Sequence, residues 1–468
     1  MRPMNNFRKD PEADNLVIAY EEQFKNGEMA YFEEKAYLKI IEFYERDHQL
    51  DKALEVADNA IAHHSYSADC YTRKAEILIG LGKEEDALQV LETACLYAPL
   101  ESEVALLKAE ALAGLGRTTE AVDLLETLRG GANPELLSNI YLVESVVFEV
   151  EEEHERMFLA LKAAIDLDPE NSVALERFGV CVELSRKYEE SIAIHEAILE
   201  KNAYSALAWY NLGHAQAYLG NYEEAISAFE FAFVIDEGFE DACRECAGLC
   251  FELKQYNKSL KYYHELLESF EPDSETFTAI GQCYFQLGKY AAAETFYNRA
   301  IQLDPLNDEI FFFIGQCYAQ EESWETALHF FEKAIQIESQ REDYYLALGE
   351  AYWKVENRED AEDCFRLAVE TNPEEYFTWI RLAAFFLDIG DAETALEITE
   401  MGVEETESTE LLYCQVACLF SAGRRKEACF WLGEALVEDF DSHILLFTLL
   451  PSLEDDRDVI SLISAFTL

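Results

Sequence analysis

The chain is short of positive charge and has no long apolar run. Only 36 lysines and arginines stand against 94 acidic residues, for a formal net charge of −58. Such a chain would be repelled by bare nucleic acid and by anionic membrane surfaces. No apolar stretch reaches the roughly 18 residues that a membrane helix needs. The opening Met-Arg-Pro-Met-Asn-Asn-Phe-Arg-Lys-Asp lacks the apolar core of a secretion signal. A cytoplasmic location, with no nucleic acid and no membrane as partner, is therefore expected. HExxH, GxSxG and a Gly-rich phosphate loop ending in Lys-Ser/Thr are absent as well. Carboxylate pairs such as Glu223-Glu224 and Glu189-Glu190 are abundant, but they open helices, where acids complement the dipole and face water. Neither catalysis nor a cofactor is expected.

What is present is a period of 34 residues. Tyr284, Tyr318 and Tyr352 obey it, as do Gly281, Gly315 and Gly349, and Ala293, Ala327 and Ala361. One unit, Ser274 to Asn307, shows its logic. Phe277, Ile280, Gly281 and Tyr284 make one apolar stripe at helical spacing, and Ala293, Tyr297 and Ala300 make a second. Gly288-Lys289 breaks the first helix, and Asp304-Pro305 stops the second. Each unit is thus a pair of antiparallel helices that cannot bury its stripes alone, so neighbours must stack. A chain that is 50% hydrophobic has the means to do so.

The order W/F/L-x2-L-G-x2-Y, then Ala, aromatic, Ala and Pro, resembles the tetratricopeptide repeat family. Trp209, Leu212, Gly213, Ala225, Phe229 and Ala232 carry it best. Twelve units start at Glu34, Ala68, Ser102, Ser138, Ser172, Ala206, Glu240, Ser274, Asp308, Glu342, Tyr376 and Thr409. The resemblance implies an all-α fold, a right-handed superhelical α-solenoid of antiparallel helix pairs with capping helices at both ends. The expected organisation is a tail and capping helix over 1–33, repeats over 34–442 and C-terminal capping helices over 443–468. The third unit ends in an insertion, Arg129 to Pro134, and the fourth places Glu144, Ser145 and Met157 at core positions. The region 128–160 is either a hinge or merely a longer turn.

Two constellations invite a functional reading. Cys243, Cys246 and Cys250 have the spacing of a metal site. In the repeat register they fall on core positions, where free Cys behaves as a small hydrophobe, and a fourth ligand is missing nearby. No metal is expected, and twelve cysteines at repeat positions are not a disulfide framework.

The second constellation is the stripe at positions 2, 5, 9 and 12 of the first helices. In the proteins this chain resembles, that stripe lines a concave surface that binds extended peptides or helices. Here it carries Tyr210, His214, Phe251, Gln282, Phe285, Phe312, Gln316 and Trp353, with Tyr218 and Arg244 as neighbours. Aromatic and Arg side chains concentrate binding energy, and Gln offers both donor and acceptor to a backbone. The competing reading is that some of these rings fill the seams between units. Position 5 has no Lys and position 9 no Asn, so the family's carboxylate clamp is not expected. The acid at position 2 in seven units suits a helix start as well as a basic ligand. The expected function is a non-enzymatic scaffold holding a protein or peptide, with basic flanks favoured. The alternative is self-association through the ends or the convex face, although so charged a chain favours a monomer.

Overall fold

The structure is a computed structural model that describes residues 11–25, 31–46, 49–99 and 101–466. The tail 1–10 and the stretch 26–30 of the expected N-terminal region lie outside the described residues. Within them the fold is all-α, with no strand. None of the helices is long and apolar enough to cross a membrane.

The first helices begin at Glu34, Ala68, Ser102, Ser172, Ala206, Glu240, Ser274, Asp308, Glu342, Tyr376 and Thr409. Each start has a local cause. The preceding residue is often Ser, Asn or Asp, whose side chain accepts from the amide three residues on: Ser67 from Cys70 (3.2 Å), Asn171 from Ala174 (3.0 Å) and Asn307 from Ile310 (3.3 Å). The fourth first helix starts early, at Pro134, and runs to Val150. Asn133 caps it at Leu136 N (2.8 Å), and Pro134 sits at the first helical position, where its missing N–H costs nothing. The inserted residues therefore lengthen one helix as well as the turn.

In repeats two to twelve the first helices stop at a residue with positive φ, fifteenth in the repeat. It is glycine in Gly82, Gly116, Gly220, Gly288, Gly390 and Gly423. Glu152, Arg186, Lys254, Glu322 and Glu356 adopt the same left-handed conformation without being glycine.

Within each compact unit, first helices pack on their own second helices and each second helix packs on the next first helix, which makes an α-solenoid. The chain divides into two compact units, up to Leu253 and from Lys254 onward, with the boundary between the two helices of repeat seven. Tyrosines staple one repeat to the next in the second unit. Tyr318 donates to Glu294 (2.7 Å) and Tyr352 to Glu332 (2.8 Å), each acceptor lying on the preceding second helix. Residues that depart from the pattern remain core: Ile41, Met157 and Val416 are buried.

The ends are covered. On the helix Pro11–Lys25, Val17 and Tyr20 are buried against repeat one, and Asn59 donates to the Tyr20 hydroxyl (2.7 Å). At the other end Leu446, Leu453 and Val459 pack on Tyr413, Val416 and Leu432. Arg425 ties the last helix, Arg457–Phe466, to repeat twelve through Asp456 (2.6 Å) and Asp458 (2.8 Å).

Candidate protein-interaction surface

Many core-stripe positions are dry, although Trp209, Tyr284 and Phe311 are half-buried, and most of the neighbouring stripe in repeats six to ten keeps some exposure. Ala208, Phe277, Ile280, Ile314 and Leu348 are buried, while Tyr210, His214, Phe251, Gln282, Phe285, Gln316 and Trp353 keep part of their surface in solvent. The difference follows from helical spacing. Residues four and seven into a first helix point at its own second helix, and those one place over look away from it.

In the first unit, the helix Ala206–Tyr218 presents Tyr210, His214 and Tyr218. The Tyr210 and His214 rings meet edge to face at 4.5 Å. Phe229 and Phe239 support Tyr210 from behind, at 5.5 Å and 4.7 Å. Burial pushes the His214 imidazole below its usual range, while the carboxylates of Glu245, Glu183 and Asp241 oppose that shift. The same burial and the same carboxylates push the Tyr210 phenol up. Tyr218 is more exposed and stacks on Tyr188 at 4.7 Å with the planes 17° apart. Arg244, on the helix Glu240–Glu252, donates to Glu240 one turn back (2.6 Å). Phe251, on the same helix, is partly exposed.

In the second unit, Gln282 and Phe285 lie on Ser274–Gln286, Phe312 and Gln316 on Asp308–Gln320, and Trp353 on Glu342–Lys354. Phe285 leans on Tyr290 at 5.3 Å, and Trp353 meets Phe385 edge to face at 5.9 Å. Phe312 stands at the same register but is buried. Its ring lies 4.6 Å from Tyr344 of the next repeat and 5.6 Å from Phe331. It forms the floor of this face rather than its lining, because the large Tyr344 reaches back across the seam.

Sequence reasoning passed over Glu183 and Glu245 beside Tyr210, and Tyr188 beside Tyr218. Their signal lay in the register. Glu183 is twelfth in repeat five and Glu245 sixth in repeat seven, so both flank a ring on repeat six. Cys243, Cys246 and Cys250 are all buried, and Cys246 donates to the Ile226 carbonyl (3.7 Å). Among the described residues no three His, Cys, Asp or Glu side chains are arranged to hold a metal ion.

Stacked helix pairs with a separate, partly exposed stripe define a helical-repeat protein. Tetratricopeptide repeat models match residues 206–239 and 274–307, 46–111, 342–375 and 102–127. The chain is a tetratricopeptide repeat protein. No curated protein sequence matches it. Among solved structures it is similar to YrrB, described as a TPR protein with an unusual peptide-binding site. That match has 20% identity and a TM-score of 0.34, covering 39% of this chain and 95% of that one. It is also similar to the APC/C hetero-tetramer Cut9–Hcn1, at 15% identity and TM-score 0.35, covering 96% of this chain and 95% of that one. A third similarity is to the C-terminal part of a TPR repeat-containing protein from Cytophaga hutchinsonii, at 18% identity and TM-score 0.40, covering 54% of this chain and 98% of that one.

Proposed function

We propose that the chain is a non-enzymatic, cytoplasmic interaction scaffold that works as a monomer and without a cofactor. It captures an extended peptide or a helical segment of a partner protein on a first-helix stripe, that of repeats six and seven in the first unit or that of repeats eight to ten in the second, each taken by itself. The observation that carries this reading is the separation of the two stripes. Tyr218, Gln282, Phe285, Gln316 and Trp353 keep exposed surface beside core positions that are closed. Partly exposed aromatics held on rigid helices lose little entropy on binding, which suits them to be hot spots. The net charge of −58 favours a partner with basic flanks, through steering.

The test is partner capture with the triple variant Tyr218→Ala, Phe285→Ala and Trp353→Ala. Recovery should fall at least tenfold while the helical spectrum stays intact. Undiminished recovery would remove the groove assignment.

A second reading has one observation in its favour. Phe430, Ile444, Ile460 and Phe466 leave apolar surface exposed near the C-terminal end. Self-association there would appear as a mass that rises with concentration in light scattering, and a constant monomer mass rejects it.

A further inference from the structure

We propose that the surface around Tyr210 and His214 is a receptor for a lysine or arginine side chain of the partner. The proposal rests on the groove reading and narrows it to one chemistry at repeats five to seven, all within the first unit.

Three features converge there. First, the rings are held in place: Tyr210 and His214 touch at 4.5 Å and are backed by Phe229 and Phe239, so their outer surfaces are preorganised. Second, carboxylates reach this ring pair from both sides. Glu183 comes from Ser172–Ser185 in the preceding repeat, and Asp241 and Glu245 from Glu240–Glu252 in the next. All three act electrostatically on both the Tyr210 phenol and the His214 imidazole. Burial and the Glu183 carboxylate also push the Tyr218 phenol up, and Tyr218 stacks on Tyr188 to extend the aromatic wall. Third, the countercharge is elsewhere. The nearby cations are engaged, Lys187 with Glu155 and Glu190, and Arg244 with Glu240. Among the described residues no ion pair involves Glu183, Asp241 or Glu245.

The chemistry selects the occupant. A carboxylate trio from two helices, interleaved with aromatic faces, offers Coulombic attraction and cation–π contact together. A neutral or acidic side chain would gain neither and would lose the water around three carboxylates. A long aliphatic stem ending in a cation can lie along Tyr218 and place its charge among the acids. Lysine and arginine share this chemistry, and the experiment separates them. Arginine gains more where its planar head stacks on Tyr218, lysine where a compact charge is wanted.

The test uses the full chain and three labelled peptides, alternating alanine with lysine, arginine or norleucine, read by anisotropy at physiological salt. The pocket variant is Glu183→Gln with Glu245→Gln. Its control, Glu189→Gln with Glu224→Gln, removes equal charge from exposed second-helix positions. The pocket variant should lose about tenfold in affinity for the better cationic peptide, and the control less than twofold. The norleucine peptide should not bind. Equal losses in the two variants would reduce the effect to bulk charge and overturn the proposal, as would tight binding of the norleucine peptide. If the pocket variant loses helicity, the lysine, arginine and norleucine comparison on the unaltered chain decides. Partner capture that depends on Tyr218, Phe285 and Trp353 yet ignores Glu183 and Glu245 would remove this inference and leave the groove standing.

Discussion

Gly281 lies directly under the ring of Tyr297. A Cβ added to Gly281 would stand 2.4 Å from a ring carbon, closer than real atoms approach. Gly213 with Phe229, Gly315 with Phe331 and Gly349 with Phe365 repeat the relationship, at 2.6 Å, 2.6 Å and 2.9 Å. Elsewhere the same seam is filled differently. Ala75, Ala109 and Ser145 share the register of these glycines, and the facing register then holds Leu91, Leu125 and Leu161. Ile41 is matched by Ala57, while Ala383 with Thr399 and Val416 with Leu432 do not follow the trade. In the other repeats the two helices thus trade volume across their contact, as close packing requires.

Gly281→Ala should therefore destabilise the protein by about 1–3 kcal/mol, the usual range for overpacking a core. Adding Tyr297→Leu should recover most of the loss, because the pair then matches Ala109 with Leu125. Gly248→Ala is the contrast. It lies inside a helix with nothing within 4 Å of the added carbon. Helix propensity alone should make it more stable, by roughly 0.5–1 kcal/mol. Urea midpoints of the three variants check the set, and a neutral Gly281→Ala would contradict the packing argument.

The fifteenth residue of each repeat gives a second prediction. Glu322 and Glu356 hold φ of 57° and 62°, where Gly288 in the neighbouring repeat holds 70°. A side chain there costs on the order of 1–2 kcal/mol. Glu322→Gly and Glu356→Gly should each stabilise by about 1 kcal/mol, less the extra entropy that glycine gives the unfolded chain. Alanine at either site should bring no gain. A thermal melt that ranks alanine above glycine would show that the strain is relieved by some other contact.

Much of this fold is legible in the chain because the period repeats the same physical problem. Glycine under an aromatic ring recurs, and so do the small residue opening the second helix and the capping Ser, Asn or Asp. The register also places Cys243, Cys246 and Cys250 in the core, where they are found. What the period cannot carry is whatever one repeat does to the next. Phe312 reads as surface by position, but Tyr344 of the following repeat covers it. Glu183 and Glu245 read as solvated acids until the stacking brings them to the same ring pair. The left-handed glutamates were hidden for a simpler reason: the backbone needs that conformation to end the helix, whether or not the residue is glycine.

His195 makes part of the stability depend on pH. It occupies the register that Phe229 and Tyr297 fill elsewhere. Its Nδ1–H donates to the Ser191 carbonyl (2.9 Å), while Nε2 is buried without a partner. Burial pushes the imidazole down to about 4, so the native state holds it neutral. The unfolded chain binds that proton near pH 6.5. The folded pKa is the lower one, so the stability is fully present above about pH 6.5 and is lost as pH falls towards 4. The effect is on the order of 3 kcal/mol across that window. His195→Phe should flatten the difference between urea midpoints at pH 7 and pH 5 relative to the unaltered chain. An unchanged difference would assign the acid sensitivity to other groups.

Arg129 and Glu144 set the last prediction. Glu144 sits at a core position of repeat four and is almost completely buried. It survives there because Arg129, from the end of the preceding repeat, pairs with it and lies over the Tyr141 ring at 4.8 Å. Removing one partner strands the other charge in a dry site, which typically costs 3–5 kcal/mol, whereas replacing both with apolar groups is often neutral. Arg129 is partly exposed, so Arg129→Met should fall at the low end, about 3 kcal/mol. Arg129→Met with Glu144→Leu should return close to the starting stability. A double variant as unstable as the single one would mean that the pair positions the inserted turn after Arg129, and that its work is geometric rather than electrostatic.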